Sequence, residues 1–204
     1  MDIVNKVRAT SLMYDLLAKD YDGRYLGEKF QAENRQVFEW IREGRGGKIG
    51  APRVLDLGAG TGLTLDIGVL DDGDFQDYVA VDPSAGMLEQ LRMKYPEVSR
   101  VFPRTAEDFL EQNPNEIAEI VVSLFGSPSH MLPETITALP GRCIEALVLM
   151  HYAEGYFPYF YDETVIPNWS EKSREAALAL LEKYPGRVEH LGTFQVVLIG
   201  ENYV

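Results

Sequence analysis

The chain has 204 residues with 46% hydrophobic and 25% charged side chains, a composition typical of one globular domain. Its one cysteine, Cys143, excludes an intramolecular disulfide and a cysteine-based zinc site, and no long apolar run predicts a membrane span, so we expect a cytoplasmic protein. The formal net charge is −13, and residues 51–204 hold 10 basic and 24 acidic side chains. This charge disfavours nucleic acid and favours a small molecule, a cation or a protein as the partner.

The predicted elements begin with an N-terminal helical segment, residues 1–50. Residues 11–22 are followed by apolar side chains at spacings near 3.6 residues, which is the pattern of an amphipathic helix. Glycines at positions 44, 46 and 47 end this pattern. We expect residues 51–204 to form the core of the same domain.

From residue 51 onward, short apolar runs alternate with helical patterns. We predict strands at 54–57, 78–82, 100–102, 119–124, 144–150 and 194–199, and helices starting near Gly62 and near Ser84, at 134–138 and at 171–184. The alternation predicts an α/β fold with a Rossmann-like, doubly wound and mostly parallel sheet. After the last helix, either a tight hairpin turns near Gly192 and Thr193 or one antiparallel strand is missing.

The most informative segment is a glycine-rich turn at residues 58–62, directly after the first predicted strand. Glycines allow positive φ angles and let a ligand approach the main chain without a Cβ atom in the way. Leu63 stands where the last glycine of the Gly-x-Gly-x-x-Gly pattern of dinucleotide-binding folds would lie. A nicotinamide cofactor is therefore the second choice.

Two acidic residues flank this turn in the predicted fold. Asp82 ends the second strand, 20 residues after Gly62, where its carboxylate can accept hydrogen bonds from both hydroxyls of a ribose. Asp56 lies two positions before the first glycine, and its charge would disfavour a phosphate and favour a cationic ligand. A nucleoside that carries a positive charge and no phosphate describes S-adenosylmethionine.

These motifs resemble those of the class I S-adenosylmethionine-dependent methyltransferases, especially the small-molecule branch of domain type 11/25. The resemblance covers residues 14–150 and includes the Asp-x-Gly-x-Gly-x-Gly loop at 56–62 and the acidic residue Asp82, followed by Pro83, Ser84 and Met87. It also includes residues 105–109 and the Ser-x-Phe-Gly-Ser pattern at 123–127. The Asn-Pro-Pro-Tyr type motif of enzymes that methylate nucleobase amines is missing.

The resemblance implies a set of cofactor-binding residues around S-adenosylmethionine. The glycine loop would surround the methionine part, Asp82 would hold the ribose, and Met87 would lie on the adenine. Thr105 replaces an acidic residue that is usual in the family, so Ala106 and Glu107 are the better candidates for the adenine edge. The full set is Tyr14, Tyr21, Asp56, Gly58, Ala59, Gly60, Gly62, Asp82, Pro83, Met87, Thr105, Ala106, Glu107, Ser123, Leu124 and Phe125.

Around the methyl group, the resemblance implies a lid and an acceptor pocket. Residues 14–22 resemble the family's Tyr-Asp-x-x-Ala-x-x-Tyr-Asp lid, in which Tyr14 and Tyr21 share a helix face. His130 and His151 are candidate general bases. The aromatic stretch predicts either packing over the sheet or an acceptor pocket with the residues Tyr152, Tyr156 and Tyr159.

The sequence therefore predicts methyl transfer from S-adenosylmethionine to a small molecule, without a metal. Three alternatives stay open: an S-adenosylmethionine-binding protein without catalytic activity, a methyltransferase acting on a basic protein, and an enzyme that uses a nucleotide sugar or nicotinamide on the same fold. The sequence does not determine the acceptor atom, and association into a homo-oligomer also stays open.

Overall fold

The computed structural model describes residues 3–25, 27–46, 48, 50–68, 75–156 and 167–203. Its helices are α1 (Ile3–Tyr25), α2 (Glu28–Gly44), α3 (Leu63–Asp66), α4 (Ala85–Lys94), α5 (Ala106–Gln112), α6 (Pro133–Ala138) and α7 (Pro167–Ala179). Its strands are β1 (Val54–Leu57), β2 (Tyr78–Val81), β3 (Arg100–Phe102), β4 (Ala118–Ser123), β5 (Cys143–Tyr152), β6 (Gly186–Leu191) and β7 (Phe194–Ile199). None of the described helices combines the length and apolar character that crossing a membrane requires.

The strands form one sheet in the order β3-β2-β1-β4-β5-β7-β6, and the predicted fold class is confirmed. Strands β1 to β5 are parallel, whereas β7 is antiparallel to both β5 and β6. The strand order reverses between β1 and β4, so their carboxyl ends border the crevice where ligands of open α/β sheets bind. Both the glycine-rich turn and the segment after β4 lie at this edge.

The C-terminal strands form the tight hairpin rather than leaving a strand out. Leu191 pairs with Phe194, so Gly192 and Thr193 alone make the turn. Gly192 has a φ angle of +58°, which the two-residue turns of hairpins require at this position and which glycine adopts without steric cost. Of the two alternatives that the sequence left open, the structure has the hairpin.

Both faces of the sheet are covered, which explains the continuous apolar runs of the central strands. One face packs against α2 and α4 through Val37, Ile41, Leu88 and Leu91, and all four side chains are buried. The other face packs against α5, α6 and α7. Helix α7 begins four residues earlier than predicted, and a short 3-10 helix (Leu180–Glu182) follows its end.

Candidate functional site

The glycine-rich turn has a backbone that only glycine adopts easily. Gly58, Gly60 and Gly62 have φ angles of +86°, +55° and +90°. A Cβ atom on Gly58 would lie 2.4 Å from the Cβ of Ser127, so this glycine allows the turn to approach the segment after β4. A Cβ atom on Gly60 would meet no atom within 4 Å, so the main chain there faces open space.

Asp82 lies at the carboxyl end of β2 and connects two loops. Its Oδ2 accepts a hydrogen bond from the Gly60 N–H at 2.9 Å, and its Oδ1 accepts one from the Ser84 N–H at 2.8 Å. The carboxyl is largely buried, and this burial raises its pKa to about 6 in spite of the two N–H groups, which lower it. Asp82 thus lies directly beside the open space at Gly60.

Asp56 has a partner inside the protein. The carboxyl is fully buried within β1, and its Oδ2 accepts a hydrogen bond of 2.5 Å from the Tyr78 hydroxyl. Burial raises its pKa to about 6. The sequence predicts a negative charge beside the turn, whereas the structure buries this carboxyl against Tyr78.

The segment after β3 forms the N-terminal cap of α5, a helix that the sequence did not predict. The Thr105 hydroxyl oxygen accepts a hydrogen bond from the Asp108 N–H, which is the N-cap contact of that helix. Ala106 is buried, and Glu107 Oε1 accepts a hydrogen bond from the Leu132 N–H at 2.9 Å. Thr105 therefore has a structural role that accounts for its presence.

The segment after β4 contains strained backbone. Phe125 is the one non-glycine residue with a positive φ angle in the described part of the chain, at +53°. Such strain persists where the surroundings hold it and often marks a functional site. Next to it, the Ser123 hydroxyl donates to the Leu57 carbonyl at 2.6 Å, and Leu124 is buried, so β4 is anchored to β1 where the crevice opens.

Aromatic rings from α1, a 3-10 helix, β5 and the loop after β5 meet at this edge of the sheet. The Tyr14 ring on α1 lies 6.2 Å from Tyr21 and 6.4 Å from His130, measured between ring centroids. The His130 ring lies 6.2 Å from Tyr152, which in turn lies 5.8 Å from Tyr156. We call Tyr14, Tyr21, His130, Tyr152 and Tyr156 the aromatic group. Tyr159 lies outside the described residues.

The two candidate bases have different surroundings. His130 ends a 3-10 helix (Ser127–His130) after β4 and belongs to the aromatic group, and burial lowers its pKa to about 4. His151 is fully buried inside β5, with its Nε2 atom 3.2 Å from the Ser173 hydroxyl oxygen. Burial, and secondarily Arg174, lowers the pKa of His151 to about 3. Both imidazoles are neutral at pH 7, but the position of His130 is the better one for a base.

Helix α1 is attached to both sides of the crevice. Asp15 Oδ1 accepts hydrogen bonds from the Ser84 hydroxyl at 2.6 Å and from the Gly86 N–H at 2.8 Å. Asp22 Oδ1 accepts a hydrogen bond of 2.5 Å from the Thr61 hydroxyl in the glycine-rich turn. Sequence reasoning missed both carboxylates, although each directly follows a tyrosine of the predicted lid.

Two further predicted residues lie where α1 meets the sheet edge. The Pro83 carbonyl accepts a hydrogen bond of 2.8 Å from the Ser11 hydroxyl. Met87 is buried in the first turn of α4, and its N–H donates to the Ser84 hydroxyl oxygen. The structure therefore brings the glycine-rich turn, Asp82, Pro83, Met87 and the predicted lid together at one edge.

Comparison with solved structures finds the same fold in other proteins, whereas no protein-family model and no curated protein matches the chain. SMU.1697c, a candidate methyltransferase from Streptococcus mutans in complex with SAH, has a TM-score of 0.54 and 13% identity over 81% of this chain and 95% of its own. The candidate methyltransferase yhhF from Escherichia coli has a TM-score of 0.55 and 17% identity over 85% and 86%. The hypothetical protein TTHA0928 from Thermus thermophilus has a TM-score of 0.53 and 16% identity over 83% and 85%. At identities this low, the structural similarity shows a common fold and nothing more specific.

Proposed function

We propose that the protein transfers the methyl group of S-adenosylmethionine to a small molecule. The observation that carries this proposal is the pairing of Asp82 with Gly60: a carboxylate bound to the N–H of a glycine whose Cα faces open space. A ribose can donate to that carboxylate while the rest of the ligand lies against the glycine-rich turn. The structural similarity to candidate methyltransferases, one of them in complex with SAH, supports the same cofactor.

The charges around the crevice fit S-adenosylmethionine better than a phosphate-bearing cofactor. Asp82 lies at a loop that borders the crevice, and Asp15 and Asp22 on α1 contact such loops. The nearby cation Lys94 has its ammonium 2.8 Å from Asp22 and 2.6 Å from Asp66, so its charge is already matched. Net negative charge attracts the sulfonium and the ammonium of S-adenosylmethionine and repels a pyrophosphate.

The residues that would hold the cofactor follow from these positions. The main chain of residues 58–62 would contact the methionine part, Asp82 the ribose, and Met87, Ala106 and Glu107 the adenine. When bound, the cofactor supplies a methyl group already activated by the positive sulfur. Transfer of this methyl group to the lone pair of the acceptor would return the carbon–sulfur electron pair to sulfur and release S-adenosylhomocysteine (SAH).

The protein contributes position and proton transfer to this reaction. Holding the acceptor in line with the methyl group removes an entropic barrier of about 7–11 kcal/mol at most. The aromatic group offers ring faces and edges to an acceptor, and α1 limits the access of water. We propose that neutral His130 accepts the proton when the acceptor arrives protonated.

Gly60→Ala is expected to weaken SAH binding by at least about tenfold, because the new methyl group would fill the space that the cofactor needs. The folded protein should lose only about 1–2 kcal/mol from the positive φ angle. Gly50→Ala is the matched control, since Gly50 also has a positive φ angle and no atom within 4 Å of an added Cβ. Calorimetric titration with SAH should show normal binding in the control, and equal affinity of both variants would contradict the proposed cofactor position.

The binding of SAH is also expected to depend on pH. Asp82 must be ionised to accept two ribose hydroxyls, and its pKa is raised to about 6 by burial. The affinity should therefore be constant above pH 7 and fall as the pH drops through about 6, by up to about tenfold per pH unit. A titration series from pH 8 to pH 5 measures this, and an affinity that stays constant over the whole range would contradict the role of Asp82.

Methyl transfer itself separates an enzyme from a binding protein without activity. The purified protein is incubated with S-adenosylmethionine labelled in its methyl group and with a panel of amines, phenols, thiols and carboxylates. Label on an acceptor supports the proposal, and label on a basic protein alone would identify a protein methyltransferase. SAH binding without transfer to any acceptor would support a sensor or partner subunit.

A further inference from the structure

Arg174 is a buried cation on the inward face of α7. Ser170, Ser173, Arg174 and Ala177 follow the spacing of one helix face, and all four are buried. The Arg174 side chain is only 9% exposed. Arginine is rarely buried to this extent unless its charge is matched.

The charge of Arg174 is poorly matched within the described residues. Its ion pair is with Glu154, at 3.8 Å between Nη2 and Oε2, which is beyond hydrogen-bond distance. The Glu154 side chain is 86% exposed, so water competes for its carboxylate. A guanidinium carries five N–H donors, and none of the Arg174 nitrogens is both fully buried and without a hydrogen-bond partner, so these donors remain accessible to a ligand.

Arg174 is placed at the same edge of the sheet as the aromatic group. Its neighbour Ser173 donates a hydrogen bond of 2.6 Å to the Pro128 carbonyl, in the 3-10 helix that ends at His130. Ser173 also contacts His151, the residue before Tyr152 in β5. Glu154 follows Tyr152 by two residues, so the Arg174 guanidinium lies close to the end of β5.

We propose that Arg174 binds a carboxylate group of the methyl acceptor, and this inference rests on the proposed function. A planar guanidinium can donate two parallel hydrogen bonds to a carboxylate. One cation matches the single charge of a carboxylate, and the two nearby imidazoles are neutral at pH 7, so a phosphate dianion would lack a second positive partner. The acceptor is thus a small molecule with a carboxylate and a separate nucleophilic atom.

The stability of a charge-free variant gives the first test. Arg174→Met removes a charge that is poorly matched among the described residues and keeps most of the side-chain volume, so its melting temperature should stay the same or rise by up to about 4 °C. Lys172→Met, at an exposed position of the same helix, is the control. A marked fall in the melting temperature of Arg174→Met alone would show a structural role and overturn the proposal.

Binding of matched acids and amides gives the second test. The probes are 4-hydroxybenzoate, 4-aminobenzoate, glycine and 3-mercaptopropionate, each compared with its primary amide by calorimetry on the protein with and without SAH. Wild type and Lys172→Met should bind at least one acid about tenfold more tightly than its amide. Arg174→Met should lose this preference, and Arg174→Lys should keep part of it because the charge is retained. The proposal is overturned if no acid binds more tightly than its amide, or if Arg174→Met keeps the preference.

The two proposals fail in different ways. Absence of SAH binding by the folded wild type would contradict the proposed function, whereas the comparison of acids and amides on the protein without SAH still decides the role of Arg174. Normal SAH binding without a preference for acids over amides would contradict the role of Arg174 and leave the proposed function standing. A preference for inorganic phosphate over every acid, lost in Arg174→Met, would also overturn the carboxylate assignment.

Discussion

Asp82→Ala is expected to weaken SAH binding by about a hundredfold or more, since two hydrogen bonds to a charged acceptor are worth about 1.5–3 kcal/mol each. The substitution removes both carboxylate oxygens that would accept hydrogen bonds from the ribose hydroxyls. It also releases the N–H groups of Gly60 and Ser84, which the carboxylate holds in place in the folded protein. Calorimetric titration of the variant with SAH measures the loss.

The matched control is Asp77→Ala, just before the amino end of the same strand, β2. Asp77 is exposed, and its carbonyl accepts a hydrogen bond from the Val54 N–H, which the substitution leaves in place. Asp77→Ala should therefore bind SAH as the wild type does. An Asp82→Ala protein that is folded and binds SAH as tightly as the control would disprove the assigned role.

Gly126→Ala is expected to destabilise the folded protein by about 3 kcal/mol or more, combining overpacking with a positive φ angle. Gly126 has a φ angle of +90°, and an added Cβ would lie 2.2 Å from the Cζ atom of Tyr152. The Tyr152 ring is buried and stacks on Phe194 at 5.8 Å between centroids, so it cannot move away easily. Urea unfolding gives the difference in the free energy of unfolding.

Gly141→Ala is the control for this substitution. An added Cβ at Gly141 would meet no atom within 4 Å, and Gly141 lacks a positive φ angle. We expect its free energy of unfolding to change by less than about 0.5 kcal/mol, as is usual for surface substitutions. A Gly126→Ala variant as stable as Gly141→Ala would show that the ring of Tyr152 is not fixed over this turn.

Much of the fold could be predicted because its strands are buried on both faces. Val54 to Leu57 and Ile144 to Met150 are apolar apart from one acidic residue each, as central parallel strands require, and the structure places them in β1 and β5. Helix α5 was missed because residues 105–109 were interpreted only as a segment that contacts the adenine. The early start of α7 at Pro167 was missed because the aromatic stretch before it has no periodicity.

The site was predictable only where local sequence determines it. The glycine-rich turn and Asp82 were recognisable from the strand–turn–helix pattern, and in the structure the Gly60 N–H donates a hydrogen bond to Asp82. The contacts of Asp15 and Asp22 depend on how α1 packs, and the burial of Arg174 depends on how α7 packs. Such tertiary contacts leave no pattern of spacing in the sequence.

Calorimetric titration of the wild-type protein with S-adenosylmethionine, SAH and NADH tests the central claim most directly. Micromolar binding of the two sulfur ligands, with no heat from NADH, is the predicted result, because the acidic crevice accepts a sulfonium-bearing nucleoside and repels a pyrophosphate. Binding of NADH without either sulfur ligand would contradict the account and would place a nicotinamide cofactor at Asp82 and the glycine-rich turn.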